Sequence, residues 1–248
     1  MLMTPNLRKL LFETLYKNRY LYRFASTVPF AGNWRTWQKL VLSRIHGHDI
    51  LELGCGLGDL LADLLEAGYM CRAVEHSPEM VAAARATLQR RHAGPASWVI
   101  QGSAQSLPFS ANSFDTVVST FPSEYIYDPD TIAEIERVLR PGGRLIIIEG
   151  ARLQPVGYLQ PLLLLIHLLV YGPRSLSGAR SRPKQSGTTT TIVDDEAFTT
   201  EELPGMPFGG LIPLEQSGLR RRSQRVYSRR WQVFITLGEK PDATDNNH

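Results

Sequence analysis

The stretch LELGCGLG, residues 51–58, decides the fold of this 248-residue chain. An apolar run at residues 50–53 leads into three alternate glycines, and an amphipathic leucine pattern follows at once. This order predicts a strand, a tight glycine loop and the N-terminus of a helix. Glycine lets the backbone turn sharply and lets a ligand approach the main chain. The free N–H groups at the start of the helix suit a polar or anionic ligand.

An acidic residue supports a nucleoside ligand at this loop. Glu75 ends the next strand pattern, residues 69–75. It lies at about the distance downstream of the glycine loop at which a carboxylate accepts hydrogen bonds from a ribose diol. A dinucleotide-binding loop requires G-x-G-x-x-G, and Asp59 occupies the place of its last glycine. The dinucleotide motif therefore does not fit.

Composition limits the function classes. The hydrophobic fraction of 43% supports a core, and a formal charge of +3 is too small to require nucleic acid, so we expect no DNA partner. The two cysteines, Cys55 and Cys71, have neither metal-ligand spacing nor a disulfide framework, and no metal site is predicted. The N-terminus lacks the features of a secretory signal, which makes the cytoplasm the default location.

Apolar strands alternate with helical patterns through the middle of the chain. Strands are predicted at 50–53, 69–75, 98–101, 114–119 and 144–149, with helices at 59–66, 78–91 and 130–139. Continuous apolar strands separated by helices indicate a parallel sheet that is covered on both faces.

The two ends of the chain differ from this core. Helices are predicted at 7–24 and 33–45. After Gly150 comes an apolar run, 161–171, too short to span a bilayer, and then a basic and Ser/Thr-rich stretch, 174–191, typical of a mobile loop. We expect four parts: an N-terminal helical cap at 1–46, the core at 47–150, a lid at 151–213, and a closing helix end with a β-hairpin at 214–238.

Several motifs together resemble a known family. The glycine loop, with an acid two residues before its first glycine, resembles motif I of the Rossmann-type (class I) S-adenosylmethionine-dependent methyltransferases. The segments GSAQSLPF (102–109), NSFD (112–115) and LRPGG (139–143), with the closing hairpin, follow in the order and spacing of the ubiquinone and menaquinone biosynthesis branch. The resemblance covers roughly residues 34–149 and 215–237.

The resemblance implies an α/β fold with a Rossmann-like, seven-stranded, mostly parallel sheet of order 3-2-1-4-5-7-6, the last strand antiparallel. Helices cover both faces, further helices precede the sheet, and a lid is inserted after strand 5. It also implies S-adenosylmethionine as the cofactor and methyl transfer as the reaction.

The resemblance further implies roles at the cofactor. Glu75 is expected to accept both ribose hydroxyls, and Glu52 to face the ammonium directly or through water; a structural carboxylate is the alternative for Glu52. Ser103 stands where an acid is often found, so adenine recognition falls to neighbouring main chain. His76 packs against adenine or is an exposed loop histidine. The expected cofactor-binding residues are Tyr22, Glu52, Gly54, Cys55, Gly56, Gly58, Glu75, His76, Met80, Ser103, Ala104, Gln105, Thr120 and Phe121.

The acceptor is expected beyond the fourth strand. The segment TFPSEY (120–125) lacks the Asn/Asp-Pro-Pro-Tyr arrangement of methyltransferases that act on adenine or glutamine nitrogen. Glu124, Tyr125 and His167 are the candidate catalytic or acceptor-contacting residues. Ordinary loop packing is the alternative for Glu124 and Tyr125, and a core or interface position is the alternative for His167.

These observations predict a methyltransferase for a small, largely apolar or aromatic acceptor. One alternative is an RNA methyltransferase that uses the arginines of the closing hairpin; another is a protein that binds S-adenosylmethionine without turnover. The sequence has no transmembrane segment, the apolar lid allows peripheral membrane contact, and the oligomeric state stays open. The hairpin arginines are Arg220, Arg221, Arg222, Arg225, Arg229 and Arg230.

Overall fold

The computed structural model describes residues 33–153, 188–193, 196–203, 212–228 and 231–242. The predicted helix at 7–24 with Tyr22, the apolar run with His167, and most of the predicted loop 174–191 lie outside these residues. None of the helices in the described ranges has the length and apolar character to cross a membrane.

Alternating strands and helices form the first part of the structure. Their order is α1 (Trp34–Gln38), a 3₁₀ helix (Lys39–Arg44), β1 (Asp49–Leu53), α2 (Asp59–Glu66), β2 (Met70–Glu75), α3 (Pro78–Arg91), a 3₁₀ turn (Ala96–Trp98), β3 (Val99–Gln101), β4 (Phe114–Thr120), a 3₁₀ turn (Glu124–Tyr127), α4 (Pro129–Val138) and β5 (Leu139–Leu153). The remaining described ranges contain β6 (Thr188–Val193), β7 (Glu196–Leu203), a 3₁₀ turn (Glu215–Ser217), β8 (Arg220–Ser228) and β9 (Trp231–Glu239).

Two helices begin where the sequence provides side-chain caps. The Ser77 hydroxyl accepts a hydrogen bond from the Met80 N–H at 3.3 Å, with Pro78 in the first turn of α3. The Asp128 carboxylate caps α4 in the same way, ahead of Pro129. Such caps satisfy N–H groups that have no partner within the helix.

In the part of the chain that the structure describes, the sheet has nine strands, in the order β3-β2-β1-β4-β5-β9-β8-β7-β6. Strands β1 to β5 pair in parallel, and β9 is antiparallel to β5. The first seven positions reproduce the predicted order, with β9 and β8 as the last two predicted strands. The predicted count of seven is wrong, because β7 and β6 extend the sheet beyond β8.

The two additional strands lie in the interval that the sequence assigned to a lid. Residues 188–191 fall in the predicted mobile loop, yet the strand Thr188–Val193 pairs antiparallel with Glu196–Leu203. Threonine is polar but β-branched, and this side-chain shape favours extended backbone. The loop prediction weighed polarity and overlooked the branching.

Helices cover both faces of the parallel strands, as predicted. One core contains Trp37 and Leu40, with Leu61 of α2 and Leu88 of α3, against Ile50 of β1. The opposite core packs α4 against alternate residues of the same strands and contains, among others, Leu51, Val117, Ile132, Ile135 and Ile147. Because neighbouring residues of one strand face opposite cores, both faces of the strands are apolar.

Candidate active site at the carboxyl end of the parallel strands

The glycine loop joins β1 to α2 in an unusual backbone conformation. Gly54, Gly56 and Gly58 all have positive φ values, 71°, 53° and 74°. The Gly54 N–H donates to the Val74 carbonyl of β2 at 2.8 Å, which holds the loop across the ends of two strands. The loop thus lies at the carboxyl ends of β1 and β2, where open α/β sheets bind ligands.

Glu75 lies directly beside this loop. Its carboxylate accepts hydrogen bonds from the Gly56 N–H at 2.9 Å and the Ser77 N–H at 3.0 Å. One bond reaches each oxygen, and each carboxylate oxygen has a second lone pair. The carboxylate is therefore oriented by backbone and keeps acceptor capacity for a pair of hydroxyls.

Glu52 is a buried carboxyl at the same end of β1, only 1% exposed. Burial raises its pKa to about 8; the positive charge of Arg35 opposes this rise, whereas Glu75, Asp63 and Asp59 add to it. Its Oε2 atom has no hydrogen-bond partner among the described residues. A buried carboxyl oxygen without a partner is costly unless a ligand satisfies it.

Helix α1 covers the end of β4, a feature that the sequence pattern did not reveal. The Gln38 side chain donates to the Thr120 hydroxyl at 3.2 Å, and Arg35 pairs with Asp63 of α2 at 2.5 Å. Trp34 stacks on Phe121, with 3.8 Å between ring centroids. The sequence did not predict that these side chains lie at the site, because an amphipathic pattern does not indicate what the outward side chains of a helix contact. The residues concerned are Trp34, Arg35 and Gln38.

The segment after β3 lies next to Glu75. The Gly102 N–H donates to the Glu75 carbonyl at 3.0 Å. The hydroxyl of half-buried Ser103 donates to the Gln105 side-chain oxygen, and the Gln105 amide donates to Asp128 at 3.1 Å. Ala104 lies between them and is also half-buried. Asp128 was not foreseen, although an Asp-Pro pair at a helix start is a cap signal.

The other predicted cofactor contacts differ in exposure. His76 is exposed, whereas Met80 and Cys55 are buried. Both thiols of the chain, Cys55 and Cys71, are free, and burial raises the pKa of each. Within the described ranges, no cluster of three or more His, Cys, Asp or Glu residues is arranged to hold a metal ion.

The acceptor-side candidates occupy different environments. The Tyr125 hydroxyl donates to the Leu53 carbonyl at 3.1 Å and lies 2.7 Å from the Ser119 hydroxyl, so it braces the start of the glycine loop. Glu124 is exposed. His167 lies outside the described residues.

The residues at this end of the sheet fit S-adenosylmethionine. Glu75 offers oxygens for a ribose diol, the loop gives close backbone approach, and Glu52 offers an unsatisfied buried carboxyl oxygen to an ammonium group. A carboxylate on either side of a glycine loop matches a ligand with a diol and a cationic end.

Comparisons with known proteins agree with this geometry. Residues 51–147 match the family model described as a methyltransferase domain. A demethylmenaquinone methyltransferase of Lactiplantibacillus plantarum is 32% identical over 149 residues, covering 57% of this chain and 62% of that protein. The chain thus spans about three fifths of the length of this curated relative.

Solved structures share the fold at low sequence identity. A Pyrococcus horikoshii protein has a TM-score of 0.52 at 19% identity, covering 91% of this chain and 95% of its own. A SAM-dependent methyltransferase of Thermotoga maritima has a TM-score of 0.52 at 16% identity, covering 91% and 97%.

Residues 51–147 thus match a methyltransferase-domain model, and the strand order and glycine loop around them are those that the class I methyltransferase resemblance implies. The methyl donor of this class is S-adenosylmethionine. Two of the curated relatives are named demethylmenaquinone methyltransferases, a name that agrees with the resemblance in the motif order.

Proposed function

We propose that this chain transfers the methyl group of S-adenosylmethionine to a small, largely apolar or aromatic acceptor. The observation that carries the proposal is the pair of carboxyls on either side of the glycine loop. Glu75 is held by the Gly56 N–H, and Glu52 keeps an unsatisfied buried oxygen. This donor set suits the ribose and ammonium ends of the cofactor.

The cofactor supplies a methyl group already activated on a sulfonium, so alignment and exclusion of water are the main tasks of the protein. The stacked rings of Trp34 and Phe121 lie at the end of β4 and form an aromatic wall there. An apolar wall beside the cofactor loop favours a planar or apolar acceptor.

The relatives support the same acceptor class. Two curated relatives, 32% and 33% identical over 57% of this chain, are named demethylmenaquinone methyltransferases. Their substrate is a prenylated naphthoquinone, an apolar aromatic molecule. We infer that this chain acts on an acceptor of similar character, in which a ring is attached to an apolar tail.

The arginines of the closing hairpin do not favour RNA. Arg221 pairs with Glu215 at 2.7 Å, and Arg222 pairs with Glu202 at 3.2 Å. Arg225 donates to the Tyr227 hydroxyl at 3.2 Å. Phosphate binding would have to compete with these acidic partners. Arg221, Arg222 and Arg225 therefore already have partners within the protein.

The test is methyl transfer from labelled S-adenosylmethionine to a reduced short-chain 2-prenyl-1,4-naphthoquinone, with total cellular RNA as the competing acceptor. We expect label in the quinol and none in RNA. In parallel, Glu75→Gln should weaken cofactor binding by about 10-fold to 100-fold, because one charged acceptor is lost. Label in RNA would support the RNA alternative, and cofactor binding without any transfer would support a non-catalytic protein.

A further inference from the structure

Glu149 lies at the carboxyl end of the parallel strands, on the side of the sheet centre away from Glu75. It follows Ile148, which pairs with Thr120 at the end of β4. The Phe121 N–H donates to the Ile148 carbonyl at 2.6 Å. Neighbouring strands are about 4.8 Å apart, so the end of β5 is about 10 Å from the end of β1. Glu149 is therefore two strand spacings from the glycine loop, at the same edge of the sheet.

The backbone at Glu149 has a β-bulge. Ile148 pairs with Ile235 of β9, and Gly150 pairs with Phe234, the next residue back along β9. Glu149 is therefore an extra residue without an opposite partner. Bulges redirect a side chain and are frequent beside active sites. The pairing of β5 with β9 does not require a glutamate at this position.

The Glu149 carboxyl is only partly satisfied. The Thr236 hydroxyl of β9 donates to its Oε1 atom. Among the described residues, the one hydrogen bond to this carboxyl reaches Oε1 and none reaches Oε2, so these residues leave Oε2 without a donor. One oxygen is thus fixed by the protein while the other is free to bind.

Two charged or titratable side chains face this carboxyl from other elements. Arg221 of β8 lowers the pKa of Glu149, as does the hydrogen bond from Thr236, but burial outweighs both and raises it. Tyr127, after β4, lies on the other side: burial raises its pKa, and the negative charge of Glu149 adds to the rise. A carboxyl whose pKa moves toward neutrality is a better proton acceptor than an ordinary glutamate.

We propose that Glu149 is a catalytic residue that binds a ring hydroxyl of the acceptor through Oε2 and accepts its proton during methyl transfer. This inference rests on the proposed function and narrows its acceptor to phenols and quinols. Thr236 is a positioning residue that fixes the carboxyl.

The proposed step balances. The hydroxyl proton moves to Glu149, and the electron pair of the O–H bond becomes available on the acceptor. A new bond forms from the acceptor oxygen, or from the adjacent ring carbon, to the methyl carbon. The carbon–sulfur bond breaks and its electron pair stays on sulfur, which becomes neutral. When the ring carbon is methylated, the proton on that carbon leaves to solvent afterwards, and the ring oxygen takes a proton back from Glu149, which restores the hydroxyl and the carboxylate.

The experiment measures methyl transfer to 2-prenyl-1,4-naphthoquinol, hydroquinone and catechol between pH 6 and 10, with cofactor affinity determined by calorimetry on the same preparations. Glu149→Gln keeps the shape of the side chain but cannot accept the proton. We expect its kcat to fall about 100-fold or more, with cofactor affinity within twofold of wild type. Glu136→Gln, on α4 beside Lys240, is the matched control and should keep wild-type kcat.

The pH profile separates a catalytic role from a structural one. Because the ionised carboxyl is the active form, wild-type kcat should rise with pH through the pKa of Glu149. Thr236→Val removes a hydrogen bond that lowers this pKa, so the rise should move to higher pH. If wild type is active and Glu149→Gln keeps its kcat, or if the pH profile of Thr236→Val does not shift, the role of Glu149 is refuted. The proposed function is not affected by either result. Cofactor binding by wild type without transfer to any of the three acceptors would refute this inference together with the proposed acceptor class.

Discussion

At the residue scale, the buried carboxyl of Glu52 lowers the stability of the free protein but provides a group for ligand binding. Burial raises its pKa to about 8 from an ordinary value of 4.5. Its neutral form therefore stabilises the fold fully below about pH 4.5, and this contribution is lost as the pH rises through about 8. A residue that destabilises the free protein near neutrality is typical of a binding site.

Glu52→Gln should remove this pH dependence. At pH 8.5 we expect the variant to have a free energy of unfolding higher than wild type by on the order of a few kcal/mol, with little difference near pH 5. Denaturant unfolding at the two pH values measures this. Calorimetry should show weaker cofactor binding in the same variant, because the carboxylate that we propose for the ammonium is gone. Glu79→Gln, an exposed glutamate of α3, is the control; equal pH dependence of stability in Glu52→Gln and wild type would contradict the argument.

At the element scale, Gly58 sets how closely α2 and α3 approach. A Cβ atom at Gly58 would lie 2.8 Å from the Ala84 Cβ and 2.9 Å from its Cα, and the φ of 74° is itself unfavourable for other residues. Gly68 has a φ of 92°, but a Cβ there would meet nothing within 4 Å. Comparing alanine substitutions at the two glycines therefore separates the cost of backbone strain from the cost of steric contact.

Gly58→Ala should cost about 1–3 kcal/mol more stability than Gly68→Ala, because backbone and a packed methyl must move. Urea unfolding measures the difference. Cofactor affinity should fall in Gly58→Ala, whose loop is displaced, and stay unchanged in Gly68→Ala. Similar losses in both variants would show that strain alone matters and that Gly58 is not a packing position.

Elements of the core were predictable because their signals are local. Strands β1, β2, β4 and β5 are apolar runs that serve both cores, and their alternation with helices indicated a parallel sheet; the strand order came from the family resemblance. Ser77 and Pro78 marked the start of α3. The partners of α1 across the sheet were not predictable, because Gln38 and Thr120 are 82 positions apart and no local pattern links them. Glu149 was missed for the same reason: the bulge depends on its register with β9.

At the scale of the whole molecule, one buried arginine ties the start of the described chain to the antiparallel extension. Arg44 is 7% exposed and donates to the Leu40 carbonyl at 2.8 Å, to Gln224 of β8 at 2.7 Å and to Thr200 of β7 at 3.2 Å. Burial lowers its pKa to about 10, whereas the negative charge of Glu202 opposes this. These long-range hydrogen bonds add to the apolar packing of β7, whose Phe198 is buried in the same core as Trp37.

Arg44→Met should therefore loosen the extension without affecting the cofactor site. The variant leaves the Leu40, Gln224 and Thr200 acceptors without their donor, and we expect a loss of about 2–4 kcal/mol. Hydrogen exchange should locate the loss in the amides of β7 and β6, with cofactor affinity unchanged. Arg222→Met is the matched control: this arginine is half exposed and also faces Glu202, so its loss should cost less than about 1 kcal/mol. If Arg222→Met destabilised the protein as much as Arg44→Met, the charge of Glu202 would matter more than the buried bonds. If exchange increased evenly over the whole sheet, the extension would not be a separate unit but part of one cooperative fold.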